Sequence, residues 1–211
     1  MTDMDDEDEK HRLRETFDAI ADAFDETRRE PWEDVAEFVE GREGESALDL
    51  GCGNGRHLEL LREHFDDAVG LDFSLSMLEL CDGAVVRGDL TRLPFRDSCA
   101  DCVLCVAAVH HLPSRDERLA ALGEIGRVLR PDGEALVSVW AIEHPNFDGE
   151  RDEIRARDGD VYVPWKRGEK ERDRYYHIHE RDEFETLVAD SCLDGTVWES
   201  DGNYYARLRR R

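Results

Sequence analysis

Apolar segments alternate with amphipathic ones along most of the chain. A long amphipathic segment from Arg115 to Leu129 predicts a helix, and shorter ones predict helices at 8–25, 32–40 and 57–65. Runs rich in Val, Leu and Ala predict buried strands at 46–50, 68–71, 84–88, 100–107 and 134–141. This alternation is typical of an α/β fold with a doubly wound, mostly parallel sheet.

The pattern changes towards both ends of the chain. Two segments, 196–199 and 204–207, flank an Asp-Gly turn and predict a C-terminal antiparallel hairpin. Residues 142–174 are polar and are predicted to form an irregular, substrate-facing insertion. Residues 1–10 are an acidic string that we expect to be a disordered tail. The 211 residues are expected to form a single domain.

The first predicted strand runs into a loop with three alternate glycines, Gly51, Gly53 and Gly55. Glycine lets the backbone approach a ligand closely, and the N–H groups that open the following helix favour an anionic group. The Gly-x-Gly-x-Gly spacing differs from the G-x-G-x-x-G of dinucleotide pyrophosphate sites. We therefore interpret the loop as a nucleoside site that favours S-adenosylmethionine (SAM) over NAD.

Acidic residues end the next two predicted strands. Asp72 lies 72 − 53 = 19 residues past Gly53 and could accept both ribose hydroxyls, as the acid about 20 residues beyond a dinucleotide loop does. Asp89 could accept from the adenine amino group while Leu90 packs on the ring. Each acid alone could be a solvated strand end. Their order after the glycine loop favours a cofactor site.

The charge is strongly acidic, because 52 Asp and Glu residues against 28 Lys and Arg residues give a net charge of −24. Such a surface stays hydrated in molar salt, so we expect a halophilic archaeal source. An acidic disordered protein is the alternative, and the apolar strands argue against it. With no apolar run near 18 residues and no signal sequence, a soluble cytoplasmic protein is expected.

Local basic clusters bear on whether so acidic a chain can bind nucleic acid. At 1 M salt the Debye length is about 3 Å, so contacting charges matter more than net charge. Two groups of basic residues remain as candidates for such contacts: Lys166, Arg167, Lys170, Arg172 and Arg174, and the tail Arg207, Arg209, Arg210 and Arg211.

Six cysteines raise the question of a metal site, above all Cys102 and Cys105. Both lie in one predicted strand, where positions i and i+3 point to opposite faces, so they cannot chelate one ion. We expect free, buried thiols and no metal site.

Four further stretches carry a resemblance that extends from about residue 12 over nearly the whole chain: 17–21 with 27–32, 106–111, 163–166 and 174–177. With these the sequence resembles the class I SAM-dependent methyltransferases. It further resembles the tRNA wobble-uridine carboxymethyl methyltransferase family, known from yeast and from a domain fused to an AlkB-type hydroxylase in animals. Phe17 for the usual Tyr, Arg29-Glu30 for an aromatic-Lys pair and Leu112 for a common Trp depart from the pattern.

The resemblance implies a seven-stranded sheet in the order 3-2-1-4-5-7-6 and SAM as cofactor. It also implies tRNA as substrate and a small zinc-binding activator protein as partner. In that order the strand Ala84 to Gly88 lies at a sheet edge, where we expect the activator to bind. The cofactor-binding residues expected on this basis are Asp49, Gly51, Gly53, Asp72, Phe73, Asp89, Leu90 and Val106.

The implied reaction converts the carboxymethyl group of the uridine into a methyl ester. Positioning alone can lower such a barrier by about 7–11 kcal/mol, and an ionised carboxylate needs no general base. The site must then supply a donor for the second carboxylate oxygen. The candidates are Arg28, His110, His111, Arg174 and Tyr175, of which Arg28, His111, Arg174 and Tyr175 form the expected catalytic set.

Several alternatives stay open within this interpretation. Arg28 could instead hold the methionine carboxylate of SAM, and either His110 or His111 could face the site, with His111 favoured. Tyr175 and the next two residues could stack a flipped-out base or pack within a strand.

Other functions also remain open. A quinone-precursor type of small-molecule methyltransferase should have an apolar channel in place of the basic segment 165–174. A non-catalytic SAM-binding scaffold is the third reading. The sequence after strand four has no Asn/Asp-Pro-Pro-Tyr/Phe string and no Pro-Cys nucleophile, which disfavours amine methylation and carbon-5 pyrimidine methylation.

Overall fold

The computed structural model describes residues 3–166 and 172–211. Seven strands form the central sheet: β1 Gly44–Leu50, β2 Phe65–Asp72, β3 Ala84–Arg87, β4 Ala100–Val106, β5 Leu129–Trp140, β8 Leu193–Ser200 and β9 Asn203–Arg210. Their order is β3-β2-β1-β4-β5-β9-β8. The first five strands are parallel, and β9 and β8 pair antiparallel. The predicted fold class and strand order are confirmed.

Helices cover both faces of this sheet. They are α1 Asp3–Asp25, α2 Glu33–Val39, α3 Leu58–His64, α4 Leu75–Leu78, α5 Arg115–Val128, α6 Arg151–Ala156 and α7 Arg181–Asp190, with 3-10 turns at Val109–His111 and Pro145–Phe147. Residues of α5 and α7 pack in one apolar cluster, and residues of α2 and α3 pack in another. Cys105 lies in the first cluster and Cys102 in the second, as their spacing in β4 predicts. None of the helices in the described ranges is long and apolar enough to cross a membrane.

The strand order determines where a ligand can bind. Strand β1 pairs with β2 on one side and with β4 on the other. Connections that leave the sheet in opposite directions from these strands open a crevice at their carboxyl ends, which is where open α/β sheets bind ligands.

The expectation of a disordered acidic tail is wrong, because α1 begins at Asp3. The contacts of Lys10 explain why this segment is a helix and not a disordered tail. Its ammonium group lies 2.9 Å from Glu7 in the same helix, 3.0 Å from Asp89 and 2.7 Å from Glu117. The helix is thus held by ion pairs to residues distant in sequence, which local composition does not reveal.

The insertion at 142–174 was predicted to be irregular, but its described residues form regular elements. After the 3-10 turn and α6, strands β6 Asp160–Trp165 and β7 Arg172–His177 pair antiparallel in a second sheet. Ile154 and Tyr176 pack there in a small apolar cluster of their own. The predicted basic residues Arg167 and Lys170 lie outside the described residues.

Candidate active site

A large cavity opens at the carboxyl edge of β1, β2 and β4. It encloses about 1170 Å³, counted with its open mouth, and residues from α1, the glycine loop and β7 line it. Apolar side chains and a few charged ones line it together, as is usual for a small-molecule site.

The glycine loop forms the floor of the cavity. Gly51, Gly53 and Gly55 have φ values of 74°, 56° and 79°, in the left-handed region that favours glycine. A Cβ atom on Gly51 would lie only 2.4 Å from the Cβ of Ala108, so the close approach of these two segments requires glycine. The sequence therefore predicts this turn correctly for a physical reason.

Asp72 lies at the end of β2 and faces the glycine loop. Its Oδ2 accepts a hydrogen bond from Gly53 N at 2.9 Å, and its Oδ1 accepts one from Ser74 N at 2.8 Å. Burial raises the pKa of Asp72 to about 6, although these backbone N–H groups favour the ionised form. Each carboxylate oxygen can accept a further hydrogen bond, so the residue can hold a diol.

Asp49 differs from the other expected cofactor residues, because it is almost fully buried and does not line the cavity. Its Oδ2 has no hydrogen-bond partner among the described residues. Burial raises the pKa of Asp49 to about 7, and the guanidinium of Arg56 opposes that rise. A buried carboxylate oxygen without a partner, next to the glycine loop in the chain, suits a cationic ligand group.

Asp89 lines the cavity together with Leu90, Phe73 and Val106. The Oδ1 of Asp89 accepts from Thr91 N at 2.8 Å, and its Oδ2 forms the ion pair with Lys10. The adenine role expected for Asp89 must therefore coexist with a contact to α1.

Arg28 and Arg174 approach the cavity from opposite parts of the sequence and meet at Trp165. Their guanidinium carbons lie 4.8 Å and 5.0 Å from the Trp165 ring centroid. Arg174 is buried, and its Nε has no hydrogen-bond partner within the described chain. The segment of Arg28 is held in place because the amide of Asn54 donates to Arg28 O at 2.8 Å and to Asp25 Oδ1 at 2.9 Å. Sequence reasoning missed this role of Asn54.

Arg56 is a third arginine at the cavity. Its guanidinium carbon lies 5.7 Å from the Phe24 ring centroid and 5.5 Å from that of Trp32. Burial and the nearby Arg28 lower the pKa of Arg56 to about 10. The cavity thus carries concentrated positive charge within a chain whose net charge is −24.

Both histidines line the cavity, but their hydrogen bonds differ. The Nδ1 of His111 lies 2.8 Å from Tyr175 O, and since a carbonyl only accepts, this nitrogen carries the proton. Burial lowers the pKa of His111 to about 3, so the ring is neutral and its Nε2 is an acceptor. His111 therefore cannot donate to a carboxylate oxygen, contrary to the role expected for it.

In His110 the roles of the two ring nitrogens are reversed. Its Nδ1 accepts from Trp140 N at 3.0 Å, so in the neutral ring Nε2 carries the proton. That nitrogen is buried and has no hydrogen-bond partner in the described parts of the chain.

Tyr175 does not line the cavity. Its hydroxyl lies 2.6 Å from Asp160 Oδ1 and 3.1 Å from Pro113 O, and its ring packs among residues of α1. Side chains alternate along a strand, so Arg174 and Tyr176 share the opposite face of β7 and line the cavity. Tyr176 stacks on Trp140 with ring centroids 4.5 Å apart. Of the residues that the motif offers, Arg174 and Tyr176 therefore lie at the cavity and Tyr175 does not.

The residues present fit SAM. The glycine loop and a carboxylate that can hold the ribose hydroxyls lie at one cavity, and they match the nucleoside and the diol of that cofactor. Asp49, whose buried Oδ2 has no hydrogen-bond partner among the described residues, lies outside the cavity lining, so its charge would favour the cationic end of the cofactor without direct contact.

Comparison with known proteins agrees with this geometry. The family described as "Methyltransferase domain" matches residues 48–137. The tRNA (carboxymethyluridine(34)-5-O)-methyltransferase of Arabidopsis thaliana is 37% identical over 139 residues, which is 64% of this chain and 34% of that protein. The chain spans 21% to 58% of the length of such curated relatives.

Solved structures share the fold. A DhpI–SAM–HEP complex superimposes with a TM-score of 0.72 at 20% identity, covering 94% of this chain and 98% of that one. A complex between the Haloferax volcanii Trm112 methyltransferase activator and the putative methyltransferase gives a TM-score of 0.67 at 20% identity, over 94% of this chain and 97% of that one.

Residues 48–137 are thus similar to the methyltransferase domain family, and the fold is shared with solved chains that contain SAM or SAH, which supports S-adenosylmethionine as the cofactor. The curated proteins to which the chain is similar include tRNA (carboxymethyluridine(34)-5-O)-methyltransferases.

We expect SAM affinity to fall as the pH is lowered from 8 to 5. Burial raises the pKa of Asp49 to about 7 and that of Asp72 to about 6, so both lose their charge in this window. Well below each pKa the loss is roughly tenfold per pH unit for each carboxylate that must be ionised. Calorimetry across the range measures it, and Asp72→Asn should leave one step, from Asp49, at a lower pH than in the unsubstituted chain because the Asp72 charge no longer raises the pKa of Asp49. An affinity that is flat from pH 8 to 5 would contradict these roles.

Proposed function

We propose that this chain transfers a methyl group to the carboxylate of a carboxymethyl substituent on the wobble uridine of tRNA. The observation that supports this best is that Arg28 and Arg174 both line the cavity and both pack against the ring of Trp165. Two guanidinium groups beside a cofactor loop suit an anionic acceptor. Curated relatives are named as tRNA (carboxymethyluridine(34)-5-O)-methyltransferases, which supports the wobble carboxymethyl group as that acceptor.

Methyl transfer to a carboxylate mainly requires that the protein position the two reactants. When bound, SAM supplies an electrophilic methyl carbon, and its transfer to a carboxylate oxygen forms a C–O bond while the C–S electron pair returns to sulfur. No proton has to be removed, because the acceptor is already an anion. Arg28 and Arg174 would hold the carboxylate by charge-assisted hydrogen bonds, which contribute about 1.5–3 kcal/mol each.

His111 has a positioning role in this scheme. Its Nδ1–H holds the carbonyl of Tyr175 at 2.8 Å, next to Arg174 in β7. The 3-10 turn after β4 is thereby tied to the strand that carries the arginine. A neutral imidazole suits this role, since an added cation beside Arg174 would repel it.

The other two functions are less well supported. A quinone-precursor methyltransferase should bind an apolar ring, whereas Arg28, Arg56 and Arg174 all line this cavity. A scaffold without catalysis would bind SAM and show no turnover on tRNA. Mass analysis of wobble nucleosides from a deletion strain tests the proposal. Accumulation of the free carboxymethyl acid supports it, and unchanged wobble nucleosides would contradict it.

We further propose that a small zinc-binding activator protein covers the β3 edge of the sheet. Strand β3 pairs with β2 alone, and Val85 and Val86 in it are only partly buried. Leu75 in the neighbouring α4 is 49% exposed and extends this apolar edge, a feature that sequence reasoning missed. A methyltransferase in complex with the Trm112 activator shares the fold, which supports a partner of this type.

We expect Val85→Pro and Leu75→Asp each to reduce co-purification with the activator sharply. The first removes a backbone donor and bends the edge strand, and the second places a charge on its apolar flank. Pull-down with the activator measures the effect, and SAM binding serves as the folding control. Tyr162→Ser alters the other large exposed apolar side chain among those described and should leave binding unchanged. Full co-purification of both edge variants would exclude this interface.

A further inference from the structure

His179 is a buried histidine whose ring has no partner. It follows β7, and its backbone is fixed on both sides: its N–H donates to Trp140 O at 3.1 Å, and its carbonyl accepts from Ile142 N at 2.9 Å. The side chain is 0% exposed, and neither Nδ1 nor Nε2 has a hydrogen-bond partner in the described ranges. Burying an imidazole donor and acceptor unpaired is unfavourable, so the ring position requires an explanation.

Two further candidate ligands lie beside it. His177, His179 and Glu183 each offer one ligand atom, and these atoms all lie within 4.8 Å of one another. The Nε2 of His177 is 2.6 Å from Glu183 Oε1, and its Nδ1 is 2.8 Å from Asp160 Oδ1. A carboxylate on the far nitrogen of a histidine is the arrangement that orients metal-binding imidazoles.

The backbone also makes room for this cluster. Gly159 has a φ of +87°, and a Cβ on it would lie 2.9 Å from Cε1 of His177 and 2.7 Å from Ile178 O. Glycine at this position therefore lets the His177 ring lie between β6 and α7. The ligand positions are set by β7, the residues that directly follow it and α7 before any ion binds.

A cluster without metal accounts for only part of these contacts. A protonated His177 between Asp160 and Glu183 would satisfy both of its own nitrogens. It would leave both nitrogens of His179 without partners, although that ring lies 4.7 Å from the His177 ring. An ion shared by the two histidines would bind one ring nitrogen of each, and so gives His179 a partner that the cluster without metal does not supply.

We propose that His177, His179 and Glu183 bind one divalent transition-metal ion of the zinc type. Two imidazole nitrogens and one carboxylate oxygen suit zinc, cobalt or nickel better than magnesium or calcium, and water completes the coordination. Asp160 orients His177 through Nδ1. The ion ties β6, β7 and α7 together, next to the strand that places Arg174 in the cavity wall.

The test titrates the full chain, stripped with a chelator, with Zn²⁺ in a calorimeter and records visible absorption with Co²⁺. We expect one zinc ion per chain and cobalt bands typical of nitrogen ligands. His179→Phe and Glu183→Gln should abolish tight binding, and Asp160→Asn should weaken it roughly 10- to 100-fold. Phenylalanine keeps an apolar ring at the buried position, so His179→Phe should fold without metal.

His11→Ala is the matched control. His11 and Glu15 form an exposed histidine–carboxylate pair on α1, 3.6 Å apart, and removing it should leave zinc affinity unchanged. Failure of the unsubstituted chain to bind zinc overturns the proposal. Equal binding by His179→Phe and Glu183→Gln also overturns it. If His179→Phe does not fold, Glu183→Gln and the cobalt spectrum of the unsubstituted chain provide the test. Unchanged zinc affinity of Glu183→Gln, or a cobalt spectrum without bands typical of nitrogen ligands, would overturn the proposal.

Discussion

Replacing Asp72 with alanine should reduce SAM affinity by roughly 10²- to 10⁴-fold, because two hydrogen bonds to a charged group, each contributing about 1.5–3 kcal/mol, are lost together. The carboxylate lies at the end of β2 and is bonded to Gly53 N and Ser74 N, so it stands where the glycine loop presents the ribose. Calorimetric titration with SAM measures the change.

Asp67→Ala provides the control for that substitution. Asp67 lies on the same strand and is exposed, so its removal should leave SAM affinity unaltered. Thermal denaturation of both variants separates loss of the ligand contact from loss of the fold. An Asp72→Ala protein that folds and binds SAM within a few-fold of the unsubstituted chain would remove Asp72 from the ribose role.

The second large effect is expected at Arg174. Arg174→Met keeps an extended apolar side chain against Trp165 but removes the charge, so kcat/KM on carboxymethylated tRNA should fall roughly 10- to 150-fold. SAM affinity should stay within a few-fold. Arg174→Lys should recover only part of the activity, since an ammonium group cannot form the paired contact of a guanidinium.

Arg172→Met is the matched control, because Arg172 belongs to the same strand and is exposed. It should reduce the rate far less than Arg174→Met. Equal losses for the two variants would indicate a general charge effect on tRNA binding. That result would argue against Arg174 as the group that holds the acceptor.

The glycine loop and the strand order could be predicted because they depend on local chemistry. Gly51 must be glycine where Ala108 approaches it, and the spacing from Gly53 to Asp72 is set by one helix and one strand. Likewise, side chains alternate between the two faces of any strand, so Cys102 and Cys105 must lie on opposite faces of β4.

Other features could not be predicted because they depend on contacts between residues far apart in sequence. The N-terminal helix is tied down by Lys10, whose partners Asp89 and Glu117 lie in other elements. Whether Tyr175 or Tyr176 faces the cavity depends on how β7 sits against the 3-10 turn, which the motif itself does not specify. The proximity of His177, His179 and Glu183 likewise appears only once β7 and α7 are in place.

The most direct test of the proposed function is the chemical nature of the transferred methyl group. The purified chain, supplied with the proposed activator, is given methyl-labelled SAM and tRNA bearing carboxymethyluridine at the wobble position. The labelled tRNA is then treated with mild alkali. An ester on the wobble carboxylate predicts release of the label as methanol, together with no incorporation into tRNA that lacks the carboxymethyl group. Label that stays on the tRNA after alkali would show methylation of a base or ribose atom and would contradict the account.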